Sequence, residues 1–407
     1  MKRNKPVNCP ICNFDRAQNL LELNCGNLDN STLYQSVKIN GCEKCGHIYN
    51  KLSPNEIANL KKYYNEEYAP TNFGSPDKTG DRPGSNNINN FGRYDQIYNL
   101  VSKYIKKDFR VLDVGCAMGG FLDYLQLKGL KKLSGIDPVA KYVETAKENN
   151  THDIRVGVAE SIPFTDKVFD LIIMDQVMEH LVNPIYAFRE AKRVLTNGGL
   201  LCLGVPDAMR YNKNYFFDFY WFIMREHIQH FDTEHLKLLA SQEGFELISF
   251  NESNTPMMSE KMILPNLNIV FRLTNQKSDL NISENCFKLK KEIEQYVIND
   301  LSKLNNKKKV INDLIISQKP LYAWGIGREF LYLYEMAGLK KCNLVGLIDS
   351  NPYKQEVYTV NGKKILGQNI LTQITHDSTM VITAMAHIDT IKILLKETGF
   401  NGEIVEL

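Results

Sequence analysis

Between Phe109 and Phe250 short apolar runs alternate with helical segments, and no other feature restricts so strongly what this chain can fold into. RVLDVG, KKLSGID, FDLIIMD, GGLLCLGVP and ELISF each have the length and apolar content of a strand. Strands spaced by helices build βαβ units, so the pattern predicts an α/β domain around a mainly parallel sheet. PLYAWGIG, CNLVGLID and TMVITAMA resume the rhythm after residue 316 and predict a second, smaller α/β domain.

A chain of 407 residues exceeds one ordinary core. The expected division is a cysteine-paired module over 1–55, a helix and substrate-side loop over 56–105, and the main α/β domain over 106–250. A helical connector over 251–315 and the smaller domain over 316–407 complete it. The stretch TNFGSPDKTGDRPGSNNINN is dense in turn residues and reads as a long exposed or ligand-ordered loop. With 49 basic and 47 acidic side chains the net charge is +2, which gives no general electrostatic reason to expect nucleic acid as a partner. No apolar run reaches the roughly 20 residues of a membrane span. The basic start MKRNKPVNCPIC runs into Cys-Pro instead of an apolar stretch, so a cytoplasmic location is expected.

Cys9-x-x-Cys12 and Cys42-x-x-Cys45 are separated by 29 residues. Two such knuckles supply four thiolates to a tetrahedral Zn²⁺ and leave no open coordination position, so the expected site is structural. A small module without a large core needs such a staple. Cys25 and His47 are competing ligands, with the all-cysteine set preferred on spacing.

Arg110 to Gly120, RVLDVGCAMGG, is an apolar strand that ends in an acid and a glycine-rich turn opening a helix. Glycines there let a ligand approach the backbone, and the first amides of the helix face it. Twenty-two residues after Gly115 the next strand ends in Asp137, placed to accept ribose hydroxyls. Cys116, inside the turn with no base beside it, reads as a packing residue.

DVGCAMGG has the form D-x-G-x-x-x-G and resembles motif I of the class I S-adenosylmethionine (SAM) methyltransferases. AESIPF with FDLIIMDQVMEHLVNP, and REAKRVLTNGGLLCLGVP, are similar to the later segments of that family, in the same order. The resemblance implies that Asp113, Gly115, Gly119 and Asp137 hold methionine and ribose. It also implies that Ala159, Glu160, Asp175, Gln176 and Val177 line the adenine and methyl end.

The order of cysteine module, SAM domain and C-terminal Rossmann-like domain resembles the zinc-containing sugar C-methyltransferases of deoxysugar pathways, whose acceptor is a nucleotide-linked keto sugar. REHIQHFDTEHLKLLASQEGFELI matches the family's Glu-His segment. The resemblance implies His227 as the base that removes a carbon-bound proton, assisted by Glu226 and an upstream tyrosine. The chain departs from the family where a Tyr and Ser-rich segment should follow the cysteine module. Tyr63, Tyr64 and Tyr68 are the candidates there, with Tyr68 carried forward as the partner. His180 is expected to pack at the top of the fourth strand, and His230 and His235 to follow His227 in a helical stretch.

In the C-terminal segment Gly325-x-Gly327 follows a strand and Asp349 ends the next, but Phe330 stands where a dinucleotide fingerprint has its third glycine. A degenerate Rossmann-like domain is expected. By resemblance it clamps the nucleotide end of the substrate; the other reading is a scaffold. The expected activity is methylation of a small-molecule nucleotide sugar for surface polysaccharide, with O-methylation as the closest rival. A nucleic-acid or protein methyltransferase and a non-catalytic SAM or nucleotide binder are the readings from other classes.

Overall fold

Each apolar run between Phe109 and Phe250 lies in a strand, and together they build a seven-stranded sheet. In chain order its strands are β1 (Arg110–Val114), β2 (Lys132–Asp137), β3 (Asp153–Val156), β4 (Phe169–Asp175), β5 (Leu195–Pro206), β6 (Phe245–Met257) and β7 (Met262–Leu273). They are ordered β6-β7-β5-β4-β1-β2-β3, with β7 antiparallel to both neighbours and the other pairings parallel. The computed structural model describes residues 8–73, 84–149, 152–213, 221–257 and 262–407. Residues 74–83 of the expected loop lie outside them.

Period-two alternation divides the strand side chains between two cores. Val111, Leu171, Ile173, Cys202 and Val270 pack with Tyr94, Ile97 and Val101 of the helix Ile88–Val101 on one face. Leu112, Ile172, Met174, Leu203, Ile269 and Phe271 pack with Ala187 and Phe188 of the helix Pro184–Val194 on the other.

The expected connector over 251–315 is corrected in part, because residues 251–257 continue β6 and β7 follows. Asn and Pro hide these strands from a composition reading, yet each polar residue is accommodated. Asn268 donates to Asn251 at 3.0 Å and to Ser253 at 3.1 Å across the strand pair. Pro265 pairs with Asn254, one residue outside the β7–β5 ladder, which begins at Asn266, so its missing N–H breaks no bond there. The helix Lys288–Ser317 follows. Among the described residues no helix is long and apolar enough to cross a membrane.

The N-terminal segment forms an antiparallel sheet of Ala17–Asn24, Ser36–Cys42 and Ile48–Asn50, completed by Gln229–His230 from beyond β5. His230 is therefore in a strand, not in the helix expected for it. Asp232 caps the helix Thr233–Glu243 through the amide of His235 at 2.8 Å, which starts that helix after His230. Cys9, Cys12, Cys42 and Cys45 belong to the same core as Phe231, Leu236 and Leu239, so the module rests on the central domain.

A third sheet takes the order Thr359–Val360, Lys363–Leu366, Leu344–Ile348, Leu321–Trp324, Thr379–Ile382, Glu403–Glu406, parallel except for its first pair. Glu67, buried at the end of the helix Pro54–Glu66, accepts from Ser31 at 2.8 Å and from Tyr358 at 3.1 Å, tying this sheet to the N-terminal segment.

Phe271 is fully buried on an internal strand. Phe271→Ala should cost about 3–5 kcal/mol, seen in urea as a lower midpoint at unchanged m. A loss under about 1 kcal/mol would show that β7 is not a core strand.

Candidate active site

The strand order turns back between β1 and β4, and open α/β sheets place ligands beyond the carboxyl ends of their strands at such a point. The expected SAM-facing residues all lie on the segments that leave β1, β2, β3 and β4 at this edge. Gly115 has φ +80°, and a Cβ there would come within 2.6 Å of Val177. Gly119, also left-handed, precedes the helix Gly120–Leu127 and provides no side-chain cap to its N-terminus, where an anionic group would meet the positive end of the helix. Gly120 lies against Ser85, whose carbonyl oxygen a Cβ would meet at 2.1 Å, and its own amide donates to Gly84 at 2.8 Å.

Asp137 is aimed by its neighbours. One carboxylate oxygen accepts from the amide of Ala117 at 2.9 Å and the other from Val139 at 2.8 Å. Burial pushes its pKa up to about 6. Asp113 goes up to about 8, through burial and then the nearby Asp175 and Asp137. Asp175 is ion-paired with Arg93 at 2.5 Å, but burial still raises its carboxyl. Gln176 sits at φ +56°, its amide donating to Gly204 at 2.8 Å. Ala159 is buried, and burial raises the carboxyl of the adjacent Glu160. Several acids around one crevice favour a cation there.

Beyond β4 the expected catalytic residues meet Glu179, which the sequence did not single out, and His180, which it assigned to packing. Tyr63 donates to Glu226 at 3.0 Å and receives a bond from Asn72 at 3.0 Å. The Tyr68 ring packs 5.9 Å from Tyr63 and 5.0 Å from Tyr64. His180 is not simply a packing residue, because its ring lies 5.2 Å from His227 and its Nδ1 lies 2.8 Å from the Tyr64 hydroxyl. Glu179 beside it is buried with both carboxylate oxygens unpartnered, and burial pushes it up to about 8. The signal for this pair was their position, directly after the strand that ends in Asp175. His227 is buried with Nδ1 unpartnered, and burial, with His180 and His230 nearby, holds its pKa well below the usual histidine range.

The four cysteine sulfurs lie within 4.8 Å of one another, with Cys9 to Cys45 at 3.6 Å and Cys12 to Cys42 at 3.5 Å. His47 faces Gln229 at 2.8 Å instead, and Cys25 is buried in a different core. In the third sheet Asp349 accepts from the amide of Ile326 at 2.9 Å and from Lys354 at 3.0 Å.

A family model described as a methyltransferase domain matches residues 87–250. An uncharacterized methyltransferase of Schizosaccharomyces pombe is 33% identical over 132 residues, which are 28% of this chain and 46% of that protein. The ubiquinone/menaquinone biosynthesis C-methyltransferase UbiE of Campylobacter jejuni is 30% identical over 110 residues, 25% of this chain and 46% of that one. The chain thus spans about half the length of these two relatives. An uncharacterized protein of Methanocaldococcus jannaschii is 30% identical over 172 residues, 42% of this chain and 74% of that protein.

Asp113 and Glu179, near 8, and Asp137, near 6, all sit above the roughly 4 of an unfolded carboxyl. These three carboxyls therefore hold more protons in the folded than in the unfolded chain between about pH 4 and 8, and their contribution to ligand-free stability should fall as pH rises through that window; the buried His47, His227 and His230, whose pKa values burial lowers, act in the opposite sense below about pH 6.5. Asp113→Asn should raise Tm at pH 8 and change it little near pH 4. Scanning calorimetry giving wild-type values at both would show that the carboxylate is not held uncompensated.

Proposed function

We propose that the chain is a SAM-dependent methyltransferase, supported by the methyltransferase-domain match over residues 87–250, and that its acceptor is a nucleotide-linked sugar methylated on carbon beside a keto group. The observation that carries this reading is the meeting of Tyr63, Glu226, His180 and His227 past β4, at the edge where the SAM-facing segments also end. The residues fit SAM: a left-handed glycine turn with no room for side chains, an uncapped helix N-terminus, and buried acids for a ligand that bears a sulfonium and an ammonium. SAM supplies an electrophilic methyl group. Asp137, oriented by two amides, is proposed to accept the ribose hydroxyls; Asp113, Gly115 and Gly119 receive the methionine end. Ala159, Glu160, Asp175, Gln176 and Val177 border the adenine.

His227 is cast as the base. A buried imidazole is neutral at pH 7, and the lone pair on Nδ1 is free to take the acceptor proton. Glu226, with Tyr63 donating to it, assists, and Tyr68 closes the aromatic wall. An opening of about 300 Å³ lies between the main and C-terminal domains, bordered by Tyr64, Ala69, Val139, Lys141, Asn351 and Tyr353. It offers the nucleotide end of such an acceptor a place, with the C-terminal domain as the clamp. An oxygen acceptor, giving a methyl ether, uses the same base and is the second reading.

The cysteine cluster fits Zn²⁺. A tetrahedron with bonds near 2.3 Å has edges of about 3.8 Å, close to the 3.5 and 3.6 Å spacings, and all four thiols are buried. We assign it a structural ion that fixes the N-terminal module.

His227→Ala should lower kcat by about 10²- to 10⁴-fold with SAM affinity nearly unchanged. The wild-type rate should fall at acid pH as His227 is protonated, and the variant should lose that limb. With nucleotide keto sugars, solvent deuterium should enter the carbon that is methylated; a methyl ether product would favour the second reading, and wild-type turnover in the variant would remove His227 from the reaction. Elemental analysis should find one tightly held Zn²⁺ per chain, reduced in Cys42→Ser together with stability; protein purified without chelator and free of metal would remove that assignment.

A further inference from the structure

Besides the thiol cluster, Glu179, His180 and His227 are the second group of potential ligands that converge among the described residues. Glu179 is 1% exposed, and neither carboxylate oxygen has a partner. His180 Nδ1 lies 2.9 Å from the carbonyl of Glu226 and 2.8 Å from the Tyr64 hydroxyl; the hydroxyl can accept or donate but the carbonyl only accepts, so a proton on Nδ1 suits both partners and leaves Nε2 with a lone pair. Nε2 lies 4.0 Å from the Glu179 carboxylate. His227 Nδ1, also buried, has no partner. Three groups able to offer an electron pair thus face one another within 4.8 Å.

We propose that Glu179, His180 and His227 form a second metal site, for a divalent transition-metal ion. Two imidazoles and one carboxylate suit Zn²⁺, Co²⁺, Fe²⁺ or Mn²⁺ and not the all-oxygen preference of Mg²⁺ or Ca²⁺. Bonds of 2.0–2.2 Å bring ligand atoms to roughly 3–3.5 Å of one another, so these side chains close in by about 1 Å on binding. The histidine is already oriented in the way metal-bound histidines are, with the remote nitrogen donating to a backbone carbonyl. Three protein ligands leave coordination positions open, and the His180 side chain is 21% exposed, which gives the ion an approach. The thiol cluster, by contrast, is closed.

One consequence rests on the reading of His227 as the base. The ion takes the lone pair that would receive the proton, so metal binding and methyl transfer exclude each other, and the loaded enzyme is inhibited until a chelator strips this site.

The test is a Co²⁺ titration of the full-length protein whose thiol cluster is already filled with Zn²⁺. One further equivalent should bind with weak visible bands and without the intense thiolate charge-transfer absorption. Glu179→Gln, matched in size, should weaken that binding by on the order of tenfold or more while calorimetry shows SAM still bound, which verifies the fold. No further equivalent in the wild type, a further equivalent with thiolate bands, or equal affinity in the variant would each overturn the site. The activity of Co²⁺-loaded and stripped protein separates the two claims. Loss on loading supports both, whereas full activity with the site demonstrably filled leaves the metal site standing and removes His227 as base.

Discussion

Ile228 spends both of its backbone groups on different parts of the molecule. Its N–H donates to the carbonyl of Glu179 at 2.7 Å, and its own carbonyl accepts from Asn50 at 2.7 Å. One residue therefore fastens the N-terminal sheet to the loop beyond β4, with its side chain 1% exposed between them. His227 precedes it and the strand Gln229–His230 follows, so the placement of the histidine depends on pairing in a sheet that holds no other part of the site. Covalent neighbours of a residue anchored on both sides have little freedom to drift, which is the precision the proton transfer proposed for His227 requires.

The crevice itself is built against stability. Asp113, Asp137 and Glu179 are buried and Asp175 is half-buried beside them, paired with the guanidinium of Arg93. A carboxylate in such surroundings is costly until a positive ligand arrives, and a site that is unsatisfied alone binds the more strongly for it. Ala117 and Gln176, two non-glycine residues at the edge of the crevice, have left-handed backbone, and their amides donate to Asp137 and to Gly204.

The main sheet was legible because its strands are apolar runs with period-two burial, and the glycine turn because only glycine tolerates φ near +80° against Val177. β7 was not legible, since Asn266 and Asn268 look like loop residues until the cross-strand partners Thr255, Asn251 and Ser253 are known. Tyr63 and Glu226 are 163 positions apart, and no local pattern announces their hydrogen bond. His180 was underrated for the same reason. Its strand end was apparent, but the histidine and tyrosine that surround it come from segments on either side of β4 in the chain. The cysteine spacing, a purely local signal, specified which sulfurs gather, while the strand borrowed from residues 229–230 left no trace in the spacing.

The third sheet repeats the geometry of the glycine turn with one alteration. In both, the acid at the end of the second strand takes an amide from the preceding turn and another two residues on: Ala117 and Val139 for Asp137, Ile326 and Asn351 for Asp349. Only Asp349 also receives a lysine of its own chain, Lys354, which bonds the carbonyl of Ile326 at 3.0 Å as well. That lysine answers internally the charge that the main domain leaves for a visitor. The two turns consequently stand in different relations to the concentration of small molecules around them: the acid of the third sheet is balanced within the chain at any concentration, and that of the main sheet is not.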